Sequence, residues 1–170
     1  RRRRPGGGDA CGPCARIEGL KGLTLMHLLA AEPGAINDGS HAVDLGQTPG
    51  DIIVLSAADT ELSAIAQARA KLNGEDFPSL RLASLLHLGN VHSVDHYGEN
   101  IIAQAKIVIV RLLGGRGYWP HGTDTITRIC REQNIPVAFL PGDDQPDPEL
   151  AALSTISAEA QHRLWQYGVH

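Results

Sequence analysis

The chain has 170 residues, 42% of them hydrophobic, with 15 Lys/Arg against 19 Asp/Glu. Its mean hydropathy is −0.13 and its pI is near 6.0. That is one domain's worth of globular chain, able to bury a core, and its acidity argues against a nucleic-acid binder.

Charge is unevenly spread. Residues 1–25 hold six Lys/Arg against Asp9 and Glu18, a net +4, while residues 26–170 hold nine against seventeen, a net −8. Three cysteines (Cys11, Cys14, Cys130) make no disulfide framework. No apolar run reaches the ~18 residues of a membrane span. No apolar h-region follows the arginine-rich head, so no signal peptide is read and a cytoplasmic location is expected. The chain does not begin with Met, its single Met is Met26, and it stops inside a helix-like pattern. A fragment of a longer protein is therefore expected, with Met26 as the natural start.

Residues 1–22 are rich in Arg, Gly and Pro and are expected to be disordered. They contain Cys11-Gly12-Pro13-Cys14, the dithiol motif of thioredoxins. That chemistry needs a preceding strand to set the motif at a helix N-terminus, and no strand can form from Arg1–Ala10, so redox function is not expected. Leu23–Ala31 is apolar enough for a first strand. A Gly/Asp/Asn-rich loop over 32–51 follows, long for a compact domain. Ile52–Leu55 reads as a second, buried strand. A helix opens at Asp59 or Thr60 as N-cap, runs to Leu72 and stops at Asn73-Gly74. Leu80–Leu88 reads as a third strand, and Ser93 is expected to cap a helix over Val94–Ala105. Lys106–Leu113 is the fourth strand, a helix covers Thr123–Gln133, and Val137–Leu140 is the fifth strand. Asp147 is a good N-cap with Pro148 at the first helical position, and a last helix covers Ala158–Tyr167. Strands and helices alternating in units of about 25–30 residues predict βαβ crossovers. The expected fold is α/β: an open, mostly parallel sheet of about five strands with helices on both faces, Rossmann-like or flavodoxin-like, behind a disordered tail.

The stretch Lys106–Gly122, KIVIVRLLGGRGYWPHG, carries the strongest signal. Ile107–Val110 is uniformly apolar, which predicts a strand buried on both faces. A glycine-rich turn and then a helical pattern follow. Ligands in open α/β sheets bind at the carboxyl ends of strands, where helix N-termini offer free N–H groups. Arg111, Arg116, Tyr118, Trp119 and His121 could meet a flat, carboxylated ligand there. The competing reading is a tight turn whose aromatics pack into the core. Gly114–Gly117 lacks both the GxGxxG spacing and the GK[ST] ending of a phosphate loop, so ATP or NAD is not expected at this turn. His92, Asp95 and His96, at i, i+3 and i+4 with His87 just before, could present a metal-binding face. Asp143, Asp144, Asp147 and Glu149 could bind magnesium, although turn and cap chemistry accounts for most of that composition.

Five stretches, MHLLAAEPGAINDGS (26–40), VDLGQTPGDIIVLSAADTEL (43–62), SVDHY (93–97), VRLLGGRGYWPHG (110–122) and LPGDDQPDPELAALST (140–155), resemble in order the N-terminus of the large subunit of aerobic cobaltochelatase, the CobN type, itself similar to the large subunit of magnesium chelatase. Residues 1–25 lie outside the resemblance. It divides the chain into a basic extension (1–25), an α/β domain (26–155) and the truncated start of a helical segment (156–170).

The resemblance implies the tetrapyrrole-binding subunit of an ATP-dependent ligase of vitamin B12 biosynthesis. That enzyme inserts Co2+, as substrate, into hydrogenobyrinic acid a,c-diamide. ATP is hydrolysed not here but by two smaller AAA+ subunits, and no nucleic acid or membrane is implied. Two alternatives stay open: a non-catalytic lid or interaction domain docking the AAA+ subunits, and a magnesium-chelatase-like subunit acting on a porphyrin. Under the resemblance Arg111, Arg116, Tyr118, Trp119 and, more weakly, His121 become candidates for macrocycle contact. No catalytic base is assigned. The family pattern has residues other than His near 41, 87 and 96, so the histidine cluster is not taken as a metal site. The fragment alone is expected to be inactive.

Overall fold

The computed structural model describes residues 41–72 and 77–169. The expected strand Leu23–Ala31 and the Cys11–Cys14 motif lie outside the described residues. The other four expected strands form one all-parallel sheet: β1 (Ile52–Ser56), β2 (Leu80–Ser84), β3 (Ile107–Leu112) and β4 (Val137–Pro141), in the order β2-β1-β3-β4. Val54 pairs with Leu82 and with Ile109, and Val110 pairs with Phe139. The helices are α1 (Asp59–Lys71), α2 (Val91–Asn100), α3 (Pro120–Glu132), α4 (Pro148–Leu153) and α5 (Ala158–Val169). The strand order is that of a flavodoxin-like, doubly wound sheet. Right-handed crossovers then place α1 on one face and α2 and α3 on the other.

Burial follows this layering. Ile53, Leu55, Val108, Val110, Val137 and Phe139 form the main core with Val94 and Tyr97 of α2 and Ile126 and Ile129 of α3. Val54 and Leu82 pack on Leu62 and Ala66 of α1 in a smaller cluster. Burial on both faces of β3, expected from its composition, is corrected. Val108, Val110 and Leu112 are fully buried, whereas Ile107, Ile109 and Arg111 are half-buried. The cause is coverage: two long helices cover one face of β3, while the α1 face is only partly covered.

Both sheet edges are closed by side chains, which blunts the pairing hazard of a free edge. Along β2, Gln47 Nε2 donates to the Leu82 carbonyl at 2.8 Å, and Gln47 Oε1 accepts from Tyr97 at 2.9 Å. Along β4, Val137 N donates to Thr155 Oγ1, Phe139 N donates to Ser154 Oγ, and Gln161 Nε2 donates to the Phe139 carbonyl.

Several element ends differ from expectation. The third strand stops at Ser84, and Leu85–Leu88 winds into a 3₁₀ turn. The three-residue spacing of that turn buries Leu85 and Leu88 together. Asn90, not Ser93, caps α2 by accepting from His92 N. Ser93 instead accepts from Val43 N at 2.7 Å and pins the preceding loop. A second 3₁₀ turn, Ile102–Gln104, ends the expected Val94–Ala105 helix early. Pro120 starts α3 three residues before Thr123. Ala58 precedes α1 without a side-chain cap, although Asp59 and Glu61 occupy its first turn, where the helix dipole favours them. Asp147 caps α4 through Glu149 N and Leu150 N, as expected.

Asp51 ties the amino ends of three strands. Its carboxylate pairs with Lys106 at 2.7 Å and accepts from both the backbone N and the hydroxyl of Ser79. Its carbonyl accepts from Lys106 N and Ile107 N. Lys106, and then Ser79, hold the Asp51 carboxyl far below the usual carboxylate range. A depressed folded-state pKa adds stability above the unfolded value and loses it as pH falls towards the folded one. Asp51→Asn should therefore lower the unfolding temperature at pH 7. Its deficit relative to the parent chain should shrink as pH drops below about 4, where the unfolded carboxyl protonates while the folded one is still ionised; thermal melts across that range test this.

Candidate functional site

The carboxyl ends of β3 and β4 open into a cleft of about 340 Å³ between two loops. One wall is Gly114–Gly117 and the other runs from Asp143 to Glu149, with Leu112 and Pro141 also lining it. Gly114 and Gly115 have φ of +88° and +69°. With ψ at −164°, Gly115 sits in a region that only glycine occupies readily. A Cβ there would also lie 2.9 Å from Asp147 Oδ2. This glycine pair turns the chain tightly into a 3₁₀ turn, Arg116–Tyr118, and then into α3. The acidic loop spends its carboxylates locally: Asp143 accepts from Gln145 N, Asp144 accepts from Gln145 Nε2, and Asp147 caps α4. That is the turn and cap chemistry its composition implied.

The five residues expected at a ligand divide into two sets. Arg111 points inward, with its side chain 12% exposed. It forms an ion pair with Glu61 of α1 and donates to the carbonyls of Pro141 at 3.4 Å and Gly142 at 3.2 Å. The second Glu61 oxygen accepts from Ser56, whose hydroxyl also accepts from Ala58 N. Gly168 of α5 sits against the Arg111 guanidinium, where a Cβ would lie 2.9 Å from it. Trp119 is 7% exposed, and its Nε1 donates to the Leu88 carbonyl at 2.8 Å. The polar atoms of both residues are thus committed within the fold.

Arg116, Tyr118 and His121 form the accessible set. Arg116 lines the cleft and bridges Asp124 at 2.7 Å and Glu149 at 3.4 Å. Asp124, with Glu149 second, raises its pKa further above the ordinary guanidinium value. Tyr118 is 46% exposed on the same turn. His121 Nε2 lies 2.8 Å from Asp95 Oδ1 of α2 and 3.4 Å from Thr125 Oγ1. The His92/Asp95/His96 spacing does not converge on a common point: Asp95 turns to His121, and His96 faces Asp44 at 3.9 Å. Among the described residues no group of three or more His, Cys, Asp or Glu could hold a metal ion. Burial pushes the Cys130 thiol up to about 12, which leaves it an inert core residue.

Sequence reasoning missed Glu61, Asp124 and Asp95 as partners of Arg111, Arg116 and His121. The first pair is separated by 50 positions and the last by 26, so no local pattern could pair them. Arg111→Met should leave Glu61 half-buried without its cation and cost roughly 3 kcal/mol in denaturant unfolding. Adding Glu61→Gln should restore part of that loss. Gly122→Ala drives a methyl into the Trp119 ring. It should lower stability by about 1–3 kcal/mol and change the near-ultraviolet circular dichroism of the indole.

No protein-family model matches the chain. The aerobic cobaltochelatase subunit CobN of Sinorhizobium sp. is 48% identical to it over 142 residues, which is 84% of this chain and 11% of that protein. The aerobic cobaltochelatase subunit CobN of Pseudomonas aeruginosa is 39% identical over 142 residues, with the same coverage. Among solved structures, the catalytic subunit of cobaltochelatase from Mycobacterium tuberculosis aligns with a TM-score of 0.52 at 24% identity, over 71% of this chain and 9% of that one. That likeness supports the fold. The chain spans about a tenth of the length of the curated relatives it matches, and over that span it is similar to the CobN subunits of aerobic cobaltochelatase.

Proposed function

We propose that this chain is part of the tetrapyrrole-binding subunit of an ATP-dependent cobaltochelatase that inserts Co2+ into hydrogenobyrinic acid a,c-diamide in aerobic cobalamin biosynthesis. The observation that carries the reading is the 48% identity to a CobN subunit over 142 residues. In the reaction, cobalt sheds water and the ring releases two N–H protons as nitrogen–cobalt bonds form. Protein can assist by holding the ring, taking protons and excluding water. ATP is hydrolysed by two smaller AAA+ partners. No residue of this chain is assigned as the base.

Within that reading, the 111–121 turn is one wall of the macrocycle site. Arg116 offers a guanidinium to a peripheral carboxylate. Tyr118 offers a flat apolar surface, and His121, oriented by Asp95, offers a ring nitrogen. Arg111 and Trp119 support the turn from beneath. The inward commitment of those two residues also favours a second reading, in which this domain closes over the macrocycle or docks the AAA+ subunits and holds no ligand itself.

Absorbance titration with hydrogenobyrinic acid a,c-diamide separates the two, with a porphyrin as control for a magnesium-chelatase-like preference. A saturable spectral shift, weakened about tenfold by Arg116→Ala, supports the wall. A folded chain that gives no shift but binds the AAA+ subunits supports docking.

A further inference from the structure

His121 of α3 and Asp95 of α2 meet at 2.8 Å, with their side chains 43% and 44% exposed. A pair this exposed adds little stability. A carboxylate only accepts hydrogen bonds, so Nε2 of His121 carries the proton. The neutral ring then holds its lone pair on Nδ1, which has no hydrogen-bond partner among the described residues. Thr125 Oγ1 approaches the same Nε2, at 3.4 Å, and leaves Nδ1 untouched. His96 lies 3.9 Å from Asp44, beyond hydrogen-bond distance, and among the described residues no other imidazole meets a carboxylate.

The surface around the pair adds an independent observation. Val91 stands four residues before Asp95, on the same face of α2, and is 47% exposed. Tyr118 stands three residues before His121 and is 46% exposed. One exposed apolar side chain thus lies on the Asp95 side of the pair and one on the His121 side. A flat ring with a metal at its centre meets both features at once: the apolar side chains face the ring, and the lone pair faces the metal.

We propose, resting on the macrocycle-wall reading, that His121 binds through Nδ1 to the open axial position of cobalt(II) in the metallated corrinoid, the product of the proposed insertion. Asp95 is the positioning residue. One bond forms, from the Nδ1 lone pair to cobalt, and an axial water leaves; no electron is transferred. A carboxylate on the far ring nitrogen is the usual partner of a metal-bound histidine, because it fixes the tautomer and raises the basicity of the ligating nitrogen. Free Co2+ does not suit the site, since among the described residues no group of three or more His, Cys, Asp or Glu could hold it. The macrocycle supplies those remaining ligands itself. The consequence is discrimination: the chain holds the cobalt-loaded ring more tightly than the metal-free ring.

The test is electron paramagnetic resonance and absorbance titration of this chain with the cobalt(II) form of hydrogenobyrinic acid a,c-diamide under argon. The metal-free ring serves as comparison. One bound imidazole nitrogen should split the cobalt lines into triplets, and labelling the chain with the heavy nitrogen isotope should turn the triplets into doublets. His121→Ala should abolish the splitting and weaken binding of the cobalt form about tenfold or more, and Asp95→Ala should weaken it about tenfold. Both variants should keep the parent unfolding temperature and change the affinity for the metal-free ring far less. His92→Ala, elsewhere on α2, should alter neither the splitting nor the affinity. Binding of the cobalt form without nitrogen splitting, splitting that survives His121→Ala, or equal affinity for the two forms would overturn the proposal and leave the macrocycle wall standing. A folded chain that binds neither form would overturn both.

Discussion

Arg111 stands at the carboxyl end of β3, and its guanidinium reaches four other elements. It meets Glu61 on α1, reaches Ser56 of β1 through Glu61, donates to the loop after β4, and lies against Gly168 of α5. Each contact has an electrostatic logic. A half-buried cation needs a carboxylate and acceptors for its remaining N–H groups, or its desolvation would oppose folding. Satisfying that need gathers the carboxyl ends of β1, β3 and β4 and seats α5 on the α1 face. At the opposite end of the sheet Asp51 does the same with reversed sign, joining the amino ends of β1, β2 and β3 through Lys106 and Ser79. Hydrophobic burial supplies the bulk of the driving force for the core between these two ties.

This anchoring decides which side chains of the turn stay exposed. Strand geometry alternates side chains between faces, so Val110 and Leu112 enter the main core while Arg111 emerges on the α1 face beside Glu61. The glycine pair then lifts the chain over the sheet end, so Arg116 and Tyr118 face outward and Trp119 turns back under Leu88. An arginine and an aromatic on the same short turn can thus have opposite roles: one set holds the loop in place, and the other is presented by it.

Arg116 lies on the border of two depressions, the cleft at the strand ends and the groove between α3 and α4. Its two carboxylate partners come from two helices, Asp124 from α3 and Glu149 from α4. Such an exposed, shared pair adds little stability. It sets one guanidinium at the edge of both depressions.

Much of this was legible in the linear sequence because it depends on neighbours in the chain. Runs such as Ile52–Leu55 and Val137–Leu140, turn glycines and the Asp147–Pro148 cap are local chemistry, and they located four strands and most helices to within a few residues. The ordered motifs of residues 43–62, 93–97, 110–122 and 140–155 likewise pointed to the CobN family without any structure. Sequence order could not show how the faces are covered or which charges meet. Leu85–Leu88 has strand-like composition, yet it coils because burying Leu85 and Leu88 together needs a three-residue turn. Ser93 resembles a helix cap, yet it serves a loop 50 positions away. Arg111 reads as a candidate ligand residue, and only the structure shows that it also pairs with Glu61, because parallel crossovers bring β1, α1, β4 and α5 to its side. Local patterning determined what each segment would be; only tertiary packing, which sets burial and therefore the fate of every charge, decided which side chains remain free to act.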